Sequence, residues 1–336
     1  MILEVKNLKT HYQVSDGLVK AVDGVSLYVR ENEVFGLAGE SGCGKSTFIR
    51  TIMRLIPETA HITADTLSYR GEDLLSLSDQ EYRKKILWSA VSMVPQSAMN
   101  SLNPVYRVGN QIVEAIRAHE DMGKKKAMER TQSLFKGVGL QPELTLNYPH
   151  EFSGGMRQRA MIAMSLALDP GLIIMDEPTT GLDVLVQERI LRELKMIRER
   201  SGASIFLITH DISVIAEMSD RIGIMYAGRI MEQADSVELF HDTYHPYTLG
   251  LKNAFPSIQA LEKELISIPG SPPNLLEDIP GCVFAYRCPF KIPECETSRP
   301  PDIEIKPGHF VHCIRTDHVA EFRKLAGDKK TWQSSK

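Results

Sequence analysis

The chain has 336 residues, a length that favours two domains over a single hydrophobic core. Its composition is 43% hydrophobic and 24% charged, as in ordinary globular proteins, and its net charge is −4 at pH 7. Because nucleic-acid binding needs a basic surface, this charge gives no indication of a polyanionic partner.

The N-terminal sequence carries no sign of export. MILEVKNLKTHYQV lacks a basic segment followed by an apolar core, and no later window approaches the ~18 uninterrupted apolar residues of a membrane span. We therefore expect a cytoplasmic chain. In such a reducing compartment, clustered cysteines indicate metal or redox chemistry more often than disulfides.

The pattern along the chain predicts three lobes. Residues 2–28 alternate as in an antiparallel β lobe, and a core resumes near Phe35. A helical insert is expected over about residues 105–165, from QIVEAIRA and from KKKAMERTQSLFKGVGL, which ends at glycines suited to a helix stop. We interpret the lysine run of the second helix as a solvated face.

A glycine-rich turn follows the buried strand predicted from Glu33 to Ala38, and a helix is expected to begin near Lys45. The turn fits G-x-x-x-x-G-K-[ST], in which backbone amides curl around a phosphate and the helix N-terminus adds its positive dipole. Lys45 is expected to reach the β- and γ-phosphates, and the Ser46 hydroxyl to bind Mg²⁺. The predicted phosphate-binding residues are Gly39, Ser41, Gly42, Gly44, Lys45, Ser46 and Thr47.

The stretch YPHEFSGGMRQRAMIAMSLALDP predicts a second anion site. Ser153 is placed to cap a long amphipathic helix, and Gly154 and Gly155 expose amides at its positive end. This site has no lysine of its own. One chain therefore carries two half-sites for phosphate, and two such chains paired head to tail would each close the other's nucleotide.

Two further apolar runs end in polar residues suited to phosphate chemistry. GLIIMDE ends in Asp176 and Glu177, and SIFLITHD contains His210. Such runs are typical of central parallel strands, whose carboxyl ends face the ligand. We expect Asp176 to hold Mg²⁺ through its water shell, Glu177 to polarise the attacking water, and His210 to sense or stabilise the γ-phosphate. Alone, a histidine at a strand end is more often structural; the neighbouring motifs favour the functional role.

These motifs in this order resemble the nucleotide-binding subunits of ABC transporters over roughly residues 1–255. The matching stretches are GESGCGKST, FSGGM, LIIMDE, TGLD and His210, in the places of Walker A, signature, Walker B, D-loop and H-switch. The resemblance implies an α/β P-loop NTPase of RecA-like type with an antiparallel β lobe and a helical subdomain. It also implies that Gln96 contacts Mg²⁺ or its water, that Tyr12 stacks on adenine, and that Asp183 communicates across a dimer.

Finer features resemble the dipeptide and oligopeptide permease ATPases. Phe152 and Met156 replace the leucine and glutamine of the general signature, and NSLNPVYRVGNQI and HPYTLGLKNAFP match this variant. Ser97 departs from the pattern, since many relatives carry an acidic residue after the glutamine, but the expectation of ATP hydrolysis does not depend on it.

The resemblance implies an ATP-hydrolysing motor of a peptide importer. Its expected partners are a second ATPase subunit, a paralogue, together with two membrane permease subunits and an extracytoplasmic peptide-binding protein. It places the chain peripherally at the cytoplasmic face of the membrane, with a permease coupling helix received between Gln96 and the helical insert. A nickel or other small-solute importer is the nearer alternative. A soluble ABC ATPase of repair or translation is the distant one, and the chain lacks both the long insertion between the Walker motifs and the second motor of those proteins.

Four of the five cysteines lie in the last fifth of the chain, after the sequence becomes proline-rich. We predict an irregular, extended C-terminal extension over residues 256–336, too poor in apolar residues to fold alone. The remaining cysteine, Cys43, lies inside the glycine-rich turn and is interpreted as a small filler. The clustered cysteines are Cys282, Cys288, Cys295 and Cys313.

The cysteine spacing C-x5-C-x6-C-x17-C bears on which metal could bind. Structural zinc sites usually have tighter pairs, whereas iron–sulfur clusters tolerate looser spacing and often have a proline beside a ligand, as Pro289 is here. The spacing therefore suits an iron–sulfur cluster better than zinc. The extension also resembles that of peptide permease ATPases, some of which bind a [4Fe–4S] cluster, and this resemblance implies such a cluster here. Zinc, with His309 or His312 replacing a thiol, and metal-free thiols are the alternatives. We expect a structural role for the site and treat redox sensing as a hypothesis.

Overall fold

A computed structural model describes residues 1–96, 98–254 and 266–333, except for the side chain of residue 99. Ser97 and the expected domain boundary at residue 255 lie outside the described residues, so that boundary stays a prediction. The chain divides into two compact units, the first made of Met1–Leu3, Val29–Val34 and Ser68–Ile208, and the second of Glu4–Tyr28, Phe35–Leu67 and Thr209–Lys336. In the described ranges, no helix combines the length and apolar character needed to cross a membrane.

In the described residues, strands and α-helices alternate one by one over residues 154–226 and occur in groups elsewhere. The strands are β1 Leu3–Val14, β2 Gly17–Val29, β3 Val34–Ala38, β4 Ala60–Thr63, β5 Thr66–Tyr69, β6 Glu72–Asp73, β7 Val91–Val94, β8 Leu172–Asp176, β9 Ser204–Ile208, β10 Arg221–Tyr226, β11 Arg229–Asp235, β12 Ile303–Lys306 and β13 His309–Val311. The helices are α1 Lys45–Ile52, α2 Asp79–Lys85, α3 Ala98–Ser101, α4 Val108–His119, α5 Lys124–Gly137, α6 Gly154–Ser165, α7 Val184–Ser201, α8 Ile212–Met218, α9 Ser236–His241, α10 Pro246–Ala254, α11 Glu294–Thr297, α12 Val319–Leu325 and α13 Lys329–Gln333.

The first unit contains a parallel sheet in which β7, β8 and β9 lie side by side. Leu172 of β8 is opposite Val91 of β7 and Ser204 of β9. Every residue of β8 and β9 is buried, as expected of parallel strands covered on both faces. The helices expected from QIVEAIRA and from the lysine-started run are present as α4 and α5, which pack on each other and on α6.

Helix α6 differs from the expected amphipathic helix because it is buried on most of its circumference. The four consecutive residues 160–163 are all buried, and successive helical positions point in directions about 100° apart. The reason lies in its neighbours, since α3, α4, α5, α7 and β7 all contact α6. A helix enclosed in this way needs apolar residues on every face.

The second unit contains a mixed sheet to which the C-terminal extension contributes. β3 pairs in parallel with β10, β10 antiparallel with β11, β11 with β13, and β13 with β12. Elsewhere in this unit β1 pairs antiparallel with β4. Residues 267–282 contain neither helix nor strand, as predicted from their prolines. The expectation of an irregular extension is otherwise wrong, because the edge of β11 offers a backbone hydrogen-bonding partner for two further strands.

The extension also shares a hydrophobic core with the rest of its unit, so its apolar residues pack with those of other elements and not only with one another. Phe284, Phe322 and Trp332 are at most 1% exposed and pack in one cluster with Tyr226 of β10 and Leu239 of α9. Burying a large apolar side chain contributes roughly 1.5–3 kcal/mol each. Packing of this kind stabilises the extension without any bound metal.

A buried carboxylate on β11 joins the extension to the sheet. Glu232 is fully buried and accepts hydrogen bonds from the backbone N–H groups of Tyr244 and His245, at 2.7 and 3.0 Å. His309 Nε2 of β13 lies 2.9 Å from the same carboxylate, and its Nδ1 lies 3.4 Å from Glu238. Burial alone lowers the pKa of His309, but the hydrogen bonds and charges of Glu232 and Glu238 outweigh burial and raise it above its ordinary value.

This raised pKa predicts a pH-dependent stability. Protonated His309 stabilises the folded state fully below its ordinary pKa of about 6.5, and that contribution is lost as the pH rises through the raised value. We expect the melting temperature of the wild type to fall more steeply, as the pH rises above about 6.5, than that of His309→Gln, which keeps a donor but does not titrate. Scanning fluorimetry at constant ionic strength measures both slopes, with His61→Gln on the exposed surface as control. Equal slopes for wild type and His309→Gln would contradict the assignment.

Candidate nucleotide-binding site

The glycine-rich loop between β3 and α1 has a backbone that only glycine allows at two positions. A Cβ on Gly39 would lie 2.1 Å from the carbonyl oxygen of Met225, and one on Gly44 would lie 2.2 Å from that of Ala21. Both glycines have positive φ, +157° and +106°. The loop therefore follows a path fixed by the two neighbouring carbonyl groups, as the motif predicts.

Lys45 lies against the backbone of this loop. Its side chain is buried, and Nζ donates hydrogen bonds to the carbonyl oxygens of Gly39 at 2.7 Å and Glu40 at 3.0 Å. Cys43 is buried beside it, with Sγ 3.6 Å from Nζ, and burial raises the pKa of its thiol. A buried neutral thiol suits the filler role expected for Cys43. The remaining predicted loop residues, Ser41, Gly42, Ser46 and Thr47, are exposed or half-buried.

Tyr12 and His210 lie near the loop within the same unit. The Tyr12 hydroxyl on β1 lies 3.5 Å from Oγ1 of Thr47, which follows directly on the predicted Mg²⁺ ligand Ser46. His210 is exposed and lines a cavity of about 450 Å³ together with Gly39 and Glu40 of the loop. The structure thus brings both predicted residues to the phosphate loop.

In the first unit, Glu177 follows buried Asp176 directly at the end of β8. Gln96 Nε2 donates a hydrogen bond to Oε2 of Glu177 at 2.8 Å, and Thr180 Oγ1 donates to the same oxygen at 2.9 Å. Glu177 has φ +49°, which is uncommon for a residue with a side chain and is often found at functional sites. The resemblance implies a role for Gln96 at Mg²⁺, separate from that expected for Glu177 at the attacking water, and the sequence carries no signal for the bond between them or for Thr180.

The predicted second anion site occupies the start of α6. Ser153 caps this helix by accepting a hydrogen bond from the N–H of Met156 at 3.3 Å, and Gly154 and Gly155 form its first turn. Asp183 caps α7 in the same way, through the N–H of Val186 at 3.0 Å. A Cβ on Gly155 would lie 2.7 Å from Cγ1 of Val186, so the two helices approach closely because Gly155 has no side chain.

The four clustered cysteines line one cavity of about 20 Å³ in the second unit, enclosed also by Phe284, Phe290 and Phe322. Burial raises the pKa of Cys282 to about 11 and that of Cys313 to about 12, and it raises that of Cys288 as well. Within the described ranges, no three histidine, cysteine or acidic side chains are grouped as a single metal ion requires.

The two histidines considered as substitute zinc ligands are engaged elsewhere. His309 is bonded to Glu232, and His312 Nε2 lies 3.1 Å from Asp302. Neither lines the cysteine cavity. A third histidine, His245, does line this cavity together with the four thiols, and its Nδ1 accepts a hydrogen bond from the N–H of Tyr247 at 3.0 Å.

A glycine-rich phosphate loop between a buried strand and a helix, with a carboxylate pair ending a parallel strand, defines a P-loop NTPase. The family model described as ABC transporter matches residues 22–180, and that described as oligopeptide/dipeptide transporter, C-terminal region, matches residues 231–295. The chain belongs to the ABC transporter ATP-binding family and has its cassette fold.

Relatives of similar length support this membership. The chain is 43% identical to the probable peptide ABC transporter ATP-binding protein y4tR of Sinorhizobium fredii, covering 95% of this chain and 96% of that protein. It is 41% identical to the dipeptide transport ATP-binding protein DppD of Bacillus subtilis, over 98% and 99% of the two chains. The ATP-binding cassette MJ0796, in a dimeric post-hydrolysis state bound to ADP and Pi, has a TM-score of 0.61 and 26% identity, covering 70% of this chain and 98% of that chain.

The close approach at Gly155 predicts an effect on stability. Gly155→Ala is expected to destabilise the fold by about 1–3 kcal/mol, because the new methyl group overlaps the stiff side chain of Val186. Gly137→Ala at the end of α5, where the added Cβ meets nothing within 4 Å, should change stability by less than about 1 kcal/mol. Urea unfolding of both variants measures the difference. If the two variants unfold at the same urea concentration, the packing argument fails.

Proposed function

We propose that this chain is the ATP-hydrolysing motor subunit of a di- or oligopeptide ABC importer. The observation that carries the proposal is Glu177, which is held by Gln96 and Thr180 beside Asp176 at the carboxyl end of β8. A carboxylate fixed in this way is suited to polarise an attacking water. The peptide cargo is supported by the match to the oligopeptide/dipeptide transporter C-terminal region and by the names of the relatives.

The proposed roles divide between binding and hydrolysis. The phosphate loop binds the phosphates through its amides, and Lys45 supplies positive charge to the β- and γ-phosphates. Mg²⁺, when bound, neutralises developing charge, and Ser46, Gln96 and Asp176 are the residues proposed to hold it. Tyr12 stacks on the adenine, and His210 contacts the γ-phosphate.

A second ATPase subunit is proposed to complete each nucleotide site. Ser153, Gly154 and Gly155 present helix-terminal amides without a lysine, as a half-site that closes another subunit's phosphate would. Val184 and Leu185, directly after Asp183, are 79% and 78% exposed, which suits a surface covered by a partner. By resemblance, that partner is a paralogue.

The segment after Gln96 is proposed to dock on the membrane permease subunits. Val105 and Tyr106, just before α4, are 71% and 58% exposed. Exposed apolar residues next to each other mark an interaction surface more often than isolated ones do. Docking there would hold the chain peripherally at the cytoplasmic face of the membrane, while an extracytoplasmic peptide-binding protein delivers cargo to the permease from the opposite side.

We further propose that Cys282, Cys288, Cys295 and Cys313 hold a [4Fe–4S] cluster. Support comes from their common cavity and from their loose spacing. Because burial raises the pKa of Cys282, Cys288 and Cys313, a bound cluster is what would make these three thiols thiolates. The extension packs in the apolar core that it shares with the rest of its unit, so the cluster would add local order to a region that is already folded.

Replacing the proposed base tests the hydrolytic role. Glu177→Gln keeps the shape of the side chain but cannot take up a proton, so ATP hydrolysis is expected to fall by about 10²–10⁴-fold while ATP binding persists. Glu199→Gln on the exposed face of α7 serves as the control and should hydrolyse ATP at the wild-type rate. Turnover by Glu177→Gln at the parent rate would remove Glu177 as the base.

Metal analysis tests the cysteine site. Protein purified without oxygen is expected to contain about four irons and four sulfides per chain, with the visible absorption of a cluster, and Cys288→Ser should lose them. Cys43→Ser should retain the iron, because Cys43 lies in the phosphate loop and not at the cavity. One zinc per chain, or no metal, in the wild type would contradict the cluster.

A further inference from the structure

The cysteine-bearing segment makes a direct ionic contact with the phosphate loop. Arg287, one residue before Cys288, is 6% exposed, and its Nη1 donates a hydrogen bond to Oε2 of Glu40 at 2.8 Å. Glu40 follows Gly39 at the start of the loop, 247 residues earlier in the chain. A hydrogen bond between two charged groups is roughly twice as strong as a neutral one. The extension is therefore tied to the loop by a strong polar contact.

The guanidinium of Arg287 is fixed on several sides. Nε donates to the carbonyl oxygen of Pro269 at 2.8 Å, Nη2 to that of Ile268 at 3.1 Å, and Nη1 also to the hydroxyl of Tyr226 at 3.2 Å. Because the donors of a guanidinium form a rigid planar fork, these bonds set the direction in which Nη1 meets Glu40. Arg287 thus presents a fixed charge to the loop.

Glu40 is held at its backbone as well as at its side chain. Its N–H donates to the hydroxyl of Tyr247 at 3.0 Å, and its carbonyl oxygen accepts the bond from Lys45 Nζ at 3.0 Å. The rings of Tyr247 and Tyr226 lie 4.7 Å apart, and Phe284 of the extension packs against both. Because the carbonyl oxygen of Glu40 accepts a hydrogen bond from the phosphate-binding lysine, a shift of the Glu40 side chain would also disturb the contact with Lys45.

We propose that Arg287 is a positioning residue for ATP binding, which acts through Glu40 to hold the start of the phosphate loop in its binding geometry. This proposal rests on the ATP binding and hydrolysis proposed above. It does not depend on which cargo is transported or on whether the cysteines bind a metal. Arg287 would act on the nucleotide through Glu40, to whose carboxylate its Nη1 is bonded at 2.8 Å.

Arg323 provides a matched control in the same extension. Its Nε donates to the carbonyl oxygen of Thr243 at 2.9 Å, its guanidinium pairs with Asp242, and it lies 4.8 Å from the ring centre of Tyr244. These are the same kinds of contact that Arg287 makes, namely a carboxylate, a carbonyl and an aromatic ring. They join the extension to the segment between α9 and α10 instead of the phosphate loop.

A double-mutant cycle on the full-length chain tests the proposal. Arg287→Met and Glu40→Gln are each expected to raise the KM for ATP by roughly five- to tenfold, and the double variant should be no worse than either single variant. The kcat should stay within about twofold, because neither residue acts in the chemical step. Arg287→Lys, which keeps the charge, should recover part of the affinity. Arg323→Met should lower the melting temperature as Arg287→Met does, with the KM unchanged.

Three results would overturn the proposal. The first is an unchanged KM in Arg287→Met together with a melting temperature like that of Arg323→Met. The second is a double variant in which the increases in KM of the two single variants multiply. The third is an unchanged KM in Glu40→Gln. The last result decides the matter even if Arg287→Met does not fold. Failure of the wild type to hydrolyse ATP would instead remove the proposed function, so the two failures are distinguishable.

Discussion

The phosphate loop has no room for a side chain at Gly39 or Gly44, and much of the second unit is arranged around this constraint. The carbonyl groups of Met225 and Ala21 form the two walls that a Cβ would strike. The N–H of Gly228, in the turn after β10, donates to the carbonyl oxygen of Cys43 at 2.8 Å and fixes the middle of the loop. A loop held this closely keeps its amides ready for phosphate, so little ordering is needed when the nucleotide binds.

The C-terminal extension is packed into the second unit and is therefore part of the ATPase, not an appendage to it. Its aromatic residues pack in the core with Tyr226, and its strand β13 is joined to β11 by the buried pair of Glu232 and His309. Arg287 then connects that packed body to Glu40 of the loop. Loss of packing in the extension would therefore shift Glu40 and the phosphate loop through Arg287, and this coupling does not require a bound metal.

Local signals in the sequence predicted the site better than they predicted the extension. The phosphate loop and the end of β8 are set by short spacings, so Lys45, Asp176 and Glu177 could be placed from sequence alone. The enclosure of α6 and the addition of β13 to the sheet depend on neighbours distant in the chain, and neither has a local pattern. The contact between Arg287 and Glu40 spans 247 residues and has no sequence signal, and Thr180 was missed because a threonine after a carboxylate is unremarkable in sequence.

ATP hydrolysis by this chain is proposed to drive peptide import. The most direct measurement is the rate of ATP hydrolysis in vesicles that contain the chain with its permease partners, with and without a peptide-loaded binding protein. We expect peptide to raise the rate and Lys45→Ala to abolish both the basal and the stimulated activity. A rate that is insensitive to peptide but rises with nickel, DNA or ribosomes would contradict it.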